Sequence, residues 1–190
     1  MNREEKKALT KSKILSAAEK LYSEKGFVEV SIEEVSKAAG VGKGTVFLHF
    51  GNQDELMGTV LSQLLETFDQ EMEKKGHELA TLEEYLLLHL SVLAYHEDLY
   101  FHFITQRLLL GKSVNYTYIG LQAAFSHHFE KCVKRELSLP LDVVFTSWIG
   151  MVHYYLENRD LFGGKNIISK NKEKWVAHYL ILLNEGGIKK

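Results

Sequence analysis

The stretch SIEEVSKAAGVGKGTVFLHF, residues 31–50, decides the reading of this chain. It forms two short helices around a glycine turn. Ser31 is an N-cap residue, and Glu34 stands three positions on, where its carboxylate can return to the Ser31 amide. Ile32, Val35, Ala38 and Ala39 give the first helix one apolar face, and Gly40 supplies the left-handed backbone that closes it. A second helix opens at 42–43 and runs to Phe50, with Gly51 as its stop. Val46 and Phe50, four apart, face inward, which leaves Lys43, Gly44, Thr45, Phe47, Leu48 and His49 outside. Two short helices across such a turn are the layout of a DNA-reading helix-turn-helix. Lys43 places a cation where free helix N–H groups also favour a phosphate. Gly44 permits close backbone approach, and Thr45 offers a hydroxyl and a methyl to base edges. Taken alone, the turn pattern fits an ordinary helical hairpin with a solvated face equally well.

The flanks carry more. AAEKLYSEKGF at 17–27 precedes the two helices and NQDEL at 52–56 follows them. In that order, over residues 14–61, these segments resemble the DNA-binding region of TetR-family bacterial repressors. The resemblance covers about a quarter of the chain. It implies an all-α protein: an N-terminal three-helix DNA-binding domain with a helix-turn-helix, at 1–53, and a fourth helix, 54–75, linking it to a larger helical ligand-binding and dimerisation domain at 76–190. It also implies a homodimer on a palindromic double-stranded operator, released by a small-molecule effector. The DNA contacts it implies are Ser31, Ile32, Gly42, Lys43, Gly44, Thr45, Phe47, Leu48, His49 and Gln53. Three of these depart from the usual pattern. Phe47 stands where many members have a tyrosine bonding a phosphate, Gln53 where many have a lysine, and Gly42 where serine is commoner.

Bulk properties set the frame around that motif. A chain of 190 residues with 45% apolar and 25% charged residues is ordinary for a globular protein. Its formal charge of -2 requires any nucleic-acid binding to come from a local basic surface. Up to Phe50 nine cations (Arg3, Lys6, Lys7, Lys11, Lys13, Lys20, Lys25, Lys37, Lys43) face seven acids (Glu4, Glu5, Glu19, Glu24, Glu29, Glu33, Glu34), an excess of two. Bulk charge is therefore a weak argument for DNA. One proline favours long uninterrupted helices, and the single Cys132 leaves no intramolecular disulfide. MNREEKKALTKSK has no apolar signal core, and no later apolar run reaches membrane-spanning length. The expectation is a soluble, cytoplasmic chain.

The remaining helices follow from periodicity. The first spans about 7–25, with Ile14, Ala18 and Leu21 inward and Gly26 as stop. Asn52 and Glu55 open the fourth, whose stripe is Leu56, Val60, Leu64, Phe68 and Met72, with Gly76 beyond Lys74 and Lys75. Thr81 and Glu84 cap a nearly all-apolar helix to Tyr95, expected to be central and buried. Further helices are expected over 98–110, 115–137, from Pro140 in a first turn, and over 172–184 after the break at 162–166.

No glycine-rich phosphate loop, paired-cysteine site or nucleophile–base pair marks an enzyme, so no catalytic residue, metal ligand or cofactor is assigned. Nine histidines include His89 and His96 on one helical face, but no HxxxH pair occurs. A haem- or metal-responsive regulator of the same fold stays an alternative, as does a helical bundle that binds a small molecule and no longer binds DNA. An apolar, aromatic-rich helical domain suits a small apolar or aromatic ligand, with Tyr85, His89, Phe103, Phe125, Trp148 and Tyr155 as candidate lining. The same aromatics fit plain core. Met151, Trp175, Tyr179 and Leu183 on the last two helices are the candidate dimer contacts.

Overall fold

Every helix leaves its first backbone N–H groups without partners in the helix itself, and how each start is satisfied defines this architecture. The computed structural model describes residues 2–75, 81–132 and 139–185, and the regular elements among them are all helical. They are α1 (Arg3–Lys25), α2 (Ile32–Ala39), α3 (Lys43–Phe50), α4 (Gln53–Lys75), α5 (Leu82–Tyr95), α6 (Glu97–Gln106), α7 (Lys112–Cys132), α8 (Leu141–Glu157) and α9 (Ile167–Glu185). Short 3₁₀ turns follow α6 at Arg107–Leu109 and α8 at Arg159–Phe162. Among the described residues no helix is long and apolar enough to cross a membrane. The expected stop at Gly76 and the expected end of the seventh helix near 137 lie outside the described residues.

Three starts are closed by local capping boxes. Asn2 with Glu5, Ser31 with Glu34 and Thr81 with Glu84 each exchange side chain for backbone in both directions. The first of these starts α1 four residues before the expected Lys7. The Asn52 side chain likewise accepts from the Glu55 N–H at 2.9 Å and opens α4. Pro140 is the N-cap of α8, one position ahead of the first turn where it was expected.

Two other starts are closed from far along the chain, and both helices begin earlier than their own sequence indicates. Asp54 accepts from the Ser113 N–H at 2.8 Å and so starts α7 at Lys112, not at 115. That approach is close: a Cβ on Gly111 would lie 2.3 Å from the Asp54 carboxyl carbon. Glu97, buried, accepts from Ile167 N–H at 3.1 Å and Ile168 N–H at 2.9 Å, one per carboxylate oxygen. It starts α9 at Ile167, not at 172.

Packing divides the chain into two compact units. One gathers Met1–Gln63 with Asp98–Gly120, the other Leu64–Glu97 with Leu121–Lys190. The helices α4 and α7 each contribute to both. The units therefore do not follow a single cut near residue 76. The reason is polar and specific: the Gln106 side-chain oxygen accepts from Phe27 N–H at 2.7 Å and Val28 N–H at 3.1 Å. Gly26, at φ 89°, admits that contact, since a Cβ there would meet the Gln106 amide nitrogen at 2.4 Å. Around it Phe27 stacks on Tyr22 at 4.7 Å and meets Phe103 edge-on at 6.4 Å. In the second unit α5 is buried along most of its length, as its apolar sequence implies, and packs on α9.

Replacing Glu97 with alanine leaves two buried N–H groups without acceptors, and each such loss costs about 1–3 kcal/mol. Glu97→Ala is expected to lower the unfolding free energy by about 3 kcal/mol in urea denaturation, with Glu97→Gln, which keeps one acceptor, falling between it and the unmodified chain.

Candidate functional site

The helix-turn-helix is assembled as its sequence dictates. Ser31 and Glu34 close α2 at its start, and Gly40, at φ 67°, ends it in the left-handed region. The Ser31 backbone N–H, then Lys25, then the Ser31 hydroxyl hold the Glu34 carboxyl down to about 2. This cap is intact above the ordinary carboxylate range and is lost only as pH falls through about 2. By contrast α3 starts at Gly42, which has no side chain to cap it. Val46 and Phe50 are buried, and Lys43, Gly44, Phe47 and Leu48 are exposed, with Thr45 and His49 half-buried beside them.

The residues assigned to DNA by sequence thus fall into two sets. Gly42, Lys43, Gly44, Thr45, Phe47, Leu48 and His49 share the outer side of α3, and Ser31 is exposed at the start of α2. Ile32 and Gln53 are not among them. The Ile32 side chain is buried. The Gln53 amide donates to the Val30 carbonyl at 2.8 Å, tying the start of α4 to the residue before α2. The sequence assigns Gln53 to the DNA contacts; in the structure its amide nitrogen is engaged within the head. Two of the nearby cations are also engaged within the chain: Lys25 with Glu34 at 2.9 Å and Lys37 with Glu33 at 2.6 Å. The bond to Lys37, its charge and then that of Lys43 lower the Glu33 carboxyl. The residues that sequence reasoning missed are Gln106 and Asp54, which have no local signature and act only through the fold.

The candidate effector residues also separate. Tyr85, His89, Phe125 and Trp148 meet in the second unit: Tyr85 stacks on Phe125 at 5.0 Å, His89 lies 3.9 Å from Phe125 by ring centroids, and Trp148 Nε1 donates to His89 Nδ1 at 3.2 Å. Phe68 closes over Tyr85, His89 and Phe125 at 5.6–6.2 Å. Tyr155 stands apart, stacked on Trp175 at 4.5 Å. Phe103 belongs to the first unit, packed on Phe27 and Tyr118. Of the candidate dimer contacts, Trp175 and Tyr179 are buried within the chain, and Tyr179 donates to the Val144 carbonyl. Met151 and Leu183 are half-buried. The exposed large apolar side chains of α8 and α9 are Val143, Tyr154, Ile181 and Leu182. Among the described residues no group of three or more His, Cys, Asp or Glu is placed to hold a metal.

Fold and site define an all-helical protein with an N-terminal helix-turn-helix head. Residues 14–60 match the family described as bacterial regulatory proteins, tetR family, a match confined to the N-terminal region of the chain. Among its relatives is the HTH-type transcriptional regulator HbdR of Aromatoleum sp. (strain CIB), 34% identical over 62 residues, covering 33% of this chain and 27% of that protein. Another is the fatty acid metabolism regulator protein of Bacillus subtilis (strain 168), 32% identical over 85 residues, covering 43% and 44%. The chain thus spans less than half the length of these relatives. The fold extends further. A transcriptional regulator from Aquifex aeolicus VF5 superposes with a TM-score of 0.69 at 22% identity, covering 91% of this chain and 99% of that one. FadR from Bacillus subtilis in complex with stearoyl-CoA gives 0.66 at 18%, covering 92% and 98%.

Burial, and then the charge of His153, push His89 down to about 3 from its usual 6.5. It is neutral in the folded chain, and a proton on Nδ1 would also break the bond from Trp148. The folded-state value is depressed, so this contribution is complete above 6.5 and is lost as pH falls toward 3. Thermal unfolding is expected to shift downward from pH 7 to 4.5. His89→Gln, which does not titrate, should flatten that slope by roughly one proton, about 1.4 kcal/mol per pH unit.

Proposed function

We propose that this chain is a cytoplasmic, homodimeric transcriptional repressor that binds a palindromic DNA operator through α3 and is released by a small apolar or aromatic effector. The observation that carries the reading is the outer side of α3. A short helix held in a helix-turn-helix presents Lys43, Thr45, Phe47, Leu48 and His49 together, over a start that no side chain caps. An uncapped helix start beside a lysine favours a phosphate, and the side chains beyond it reach base edges. The match to tetR-family regulators over residues 14–60 supports the same use of this region.

A single head reads too few base pairs for useful specificity, and a two-fold pair of heads reads two half-sites about one helical turn apart. Val143, Tyr154, Ile181 and Leu182 are the exposed apolar groups with which α8 and α9 would pair across that two-fold axis, flanked by Met151 and Leu183. Trp175 and Tyr179 support that face from inside. The effector reading rests on the aromatic set Tyr85, His89, Phe125 and Trp148, with His89 as its buried polar member. FadR of Bacillus subtilis, alike in fold, is known in complex with stearoyl-CoA. Release follows if the effector prefers the state that does not fit the operator; a ~100-fold preference corresponds to about 2.7 kcal/mol per site.

Selection on random duplexes is expected to enrich a palindrome, and gel shift to show its release by a ligand that also raises the melting temperature. Lys43→Ala should weaken operator binding and make its salt dependence shallower by about one unit of slope. Phe47→Tyr should tighten binding several-fold by adding a phosphate donor. Sedimentation is expected to give a dimer that Ile181→Asp converts to a monomer without operator affinity. A monomeric unmodified chain, or no enriched palindrome, overturns the proposal.

A further inference from the structure

The outer side of α3 holds a feature that phosphate binding does not use. Leu48 is 81% exposed, the most exposed large apolar side chain described on α1, α2 and α3. At 3.6 residues per turn it points away from the buried pair Val46 and Phe50, so it lies on the pole of the helix farthest from the head's core. A helical side chain leans over the turn that precedes it, and the residue under Leu48 is Gly44, four positions back. Gly44 has no side chain to shield it, and nothing lies within 4 Å of where its Cβ would be. The full isobutyl group therefore stands free. Phe47, 42% exposed, extends the same apolar surface on one side. No residue of α3 carries a carboxylate.

Resting on the DNA-binding reading above, we propose that Leu48 is a specificity residue that reads the C5-methyl group of a thymine in each operator half-site. The methyl of thymine is the one apolar group that a base pair presents in the major groove. Adenine, guanine and cytosine offer donors and acceptors there, and a leucine set against them strips their water without replacing its bonds. An aliphatic side chain at the pole of the reading helix thus favours thymine by attraction and disfavours the other bases by desolvation. Readout of this kind also suits a head whose Lys25 and Lys37 are engaged with Glu34 and Glu33, since apolar contact needs no cation.

The test replaces thymines by deoxyuridine, one position of the half-site at a time, in the operator selected by the full-length protein. This removes only the methyl group and leaves every hydrogen-bonding edge in place. One thymine per half-site is expected to show about fourfold weaker binding for each methyl lost, the factor carried by burial of one such group. In Leu48→Ala, which alters no buried contact and should melt like the unmodified chain, that sensitivity disappears. Leu48→Asn should shift the selected base at the same position from thymine to adenine. If no thymine is sensitive to loss of its methyl, or if the sensitivity persists in Leu48→Ala, the assignment of Leu48 is overturned while DNA binding stands. If no operator is selected at all, the DNA-binding reading fails and this assignment fails with it.

Discussion

Unpaired N–H groups at helix starts are the constraint on which this structure turns. A buried start without acceptors costs more than most single contacts return, so each must be met. Locally, Asn2, Ser31, Thr81 and Asn52 do so for α1, α2, α5 and α4. At longer range, Asp54 serves α7 and Glu97 serves α9, while Gln106 takes the two N–H groups at 27 and 28 that link α1 to α2. Each remote acceptor fixes a helix start and an inter-helix contact in one interaction. Against this background the starts of α3 at Gly42 and of α8 at Pro140 are exceptions, with no side-chain cap, and the first of them lies in the helix-turn-helix.

What was legible in the sequence follows this division. Capping boxes and apolar stripes are local, so α2, α3 and α5 are readable to within about a residue. The starts of α7 and α9 are not, because the N–H groups of Ser113 and Ile167 are met by carboxylates 59 and 70 residues earlier in the chain. The early start of α1 is a different matter: Asn2 and Glu5 repeat the spacing of Ser31 and Glu34 and were as readable as they. The aromatic helices show a second limit. Periodicity tells which side of a helix is apolar but not what covers it. Phe103 and Phe125 look alike in sequence yet serve different units, and Trp175 and Tyr179 are buried inside the chain while Ile181 and Leu182 beside them are exposed.

The candidate site was more legible than the machinery behind it. The outward residues of α3 follow from two buried positions and a helical period, and the structure places them where that arithmetic does. Its electrostatic character could not be read the same way. A tally of nine cations against seven acids takes no account of the fact that Lys25 and Lys37 are engaged with Glu34 and Glu33, or that Gln53 is occupied by Val30. Pairing, not composition, decides how much charge a surface offers to a phosphate.

The Gln106 contact has a consequence for anyone assembling hybrid proteins from this head. Boundaries drawn along the chain would cut the head at about residue 53 and fuse it to a foreign effector domain. Such a graft would leave behind Asp98–Gly120, and with it the acceptor for Phe27 and Val28 and the ring of Phe103. The transplantable module is discontinuous: the head travels intact only when α6 and the first turns of α7 travel with it.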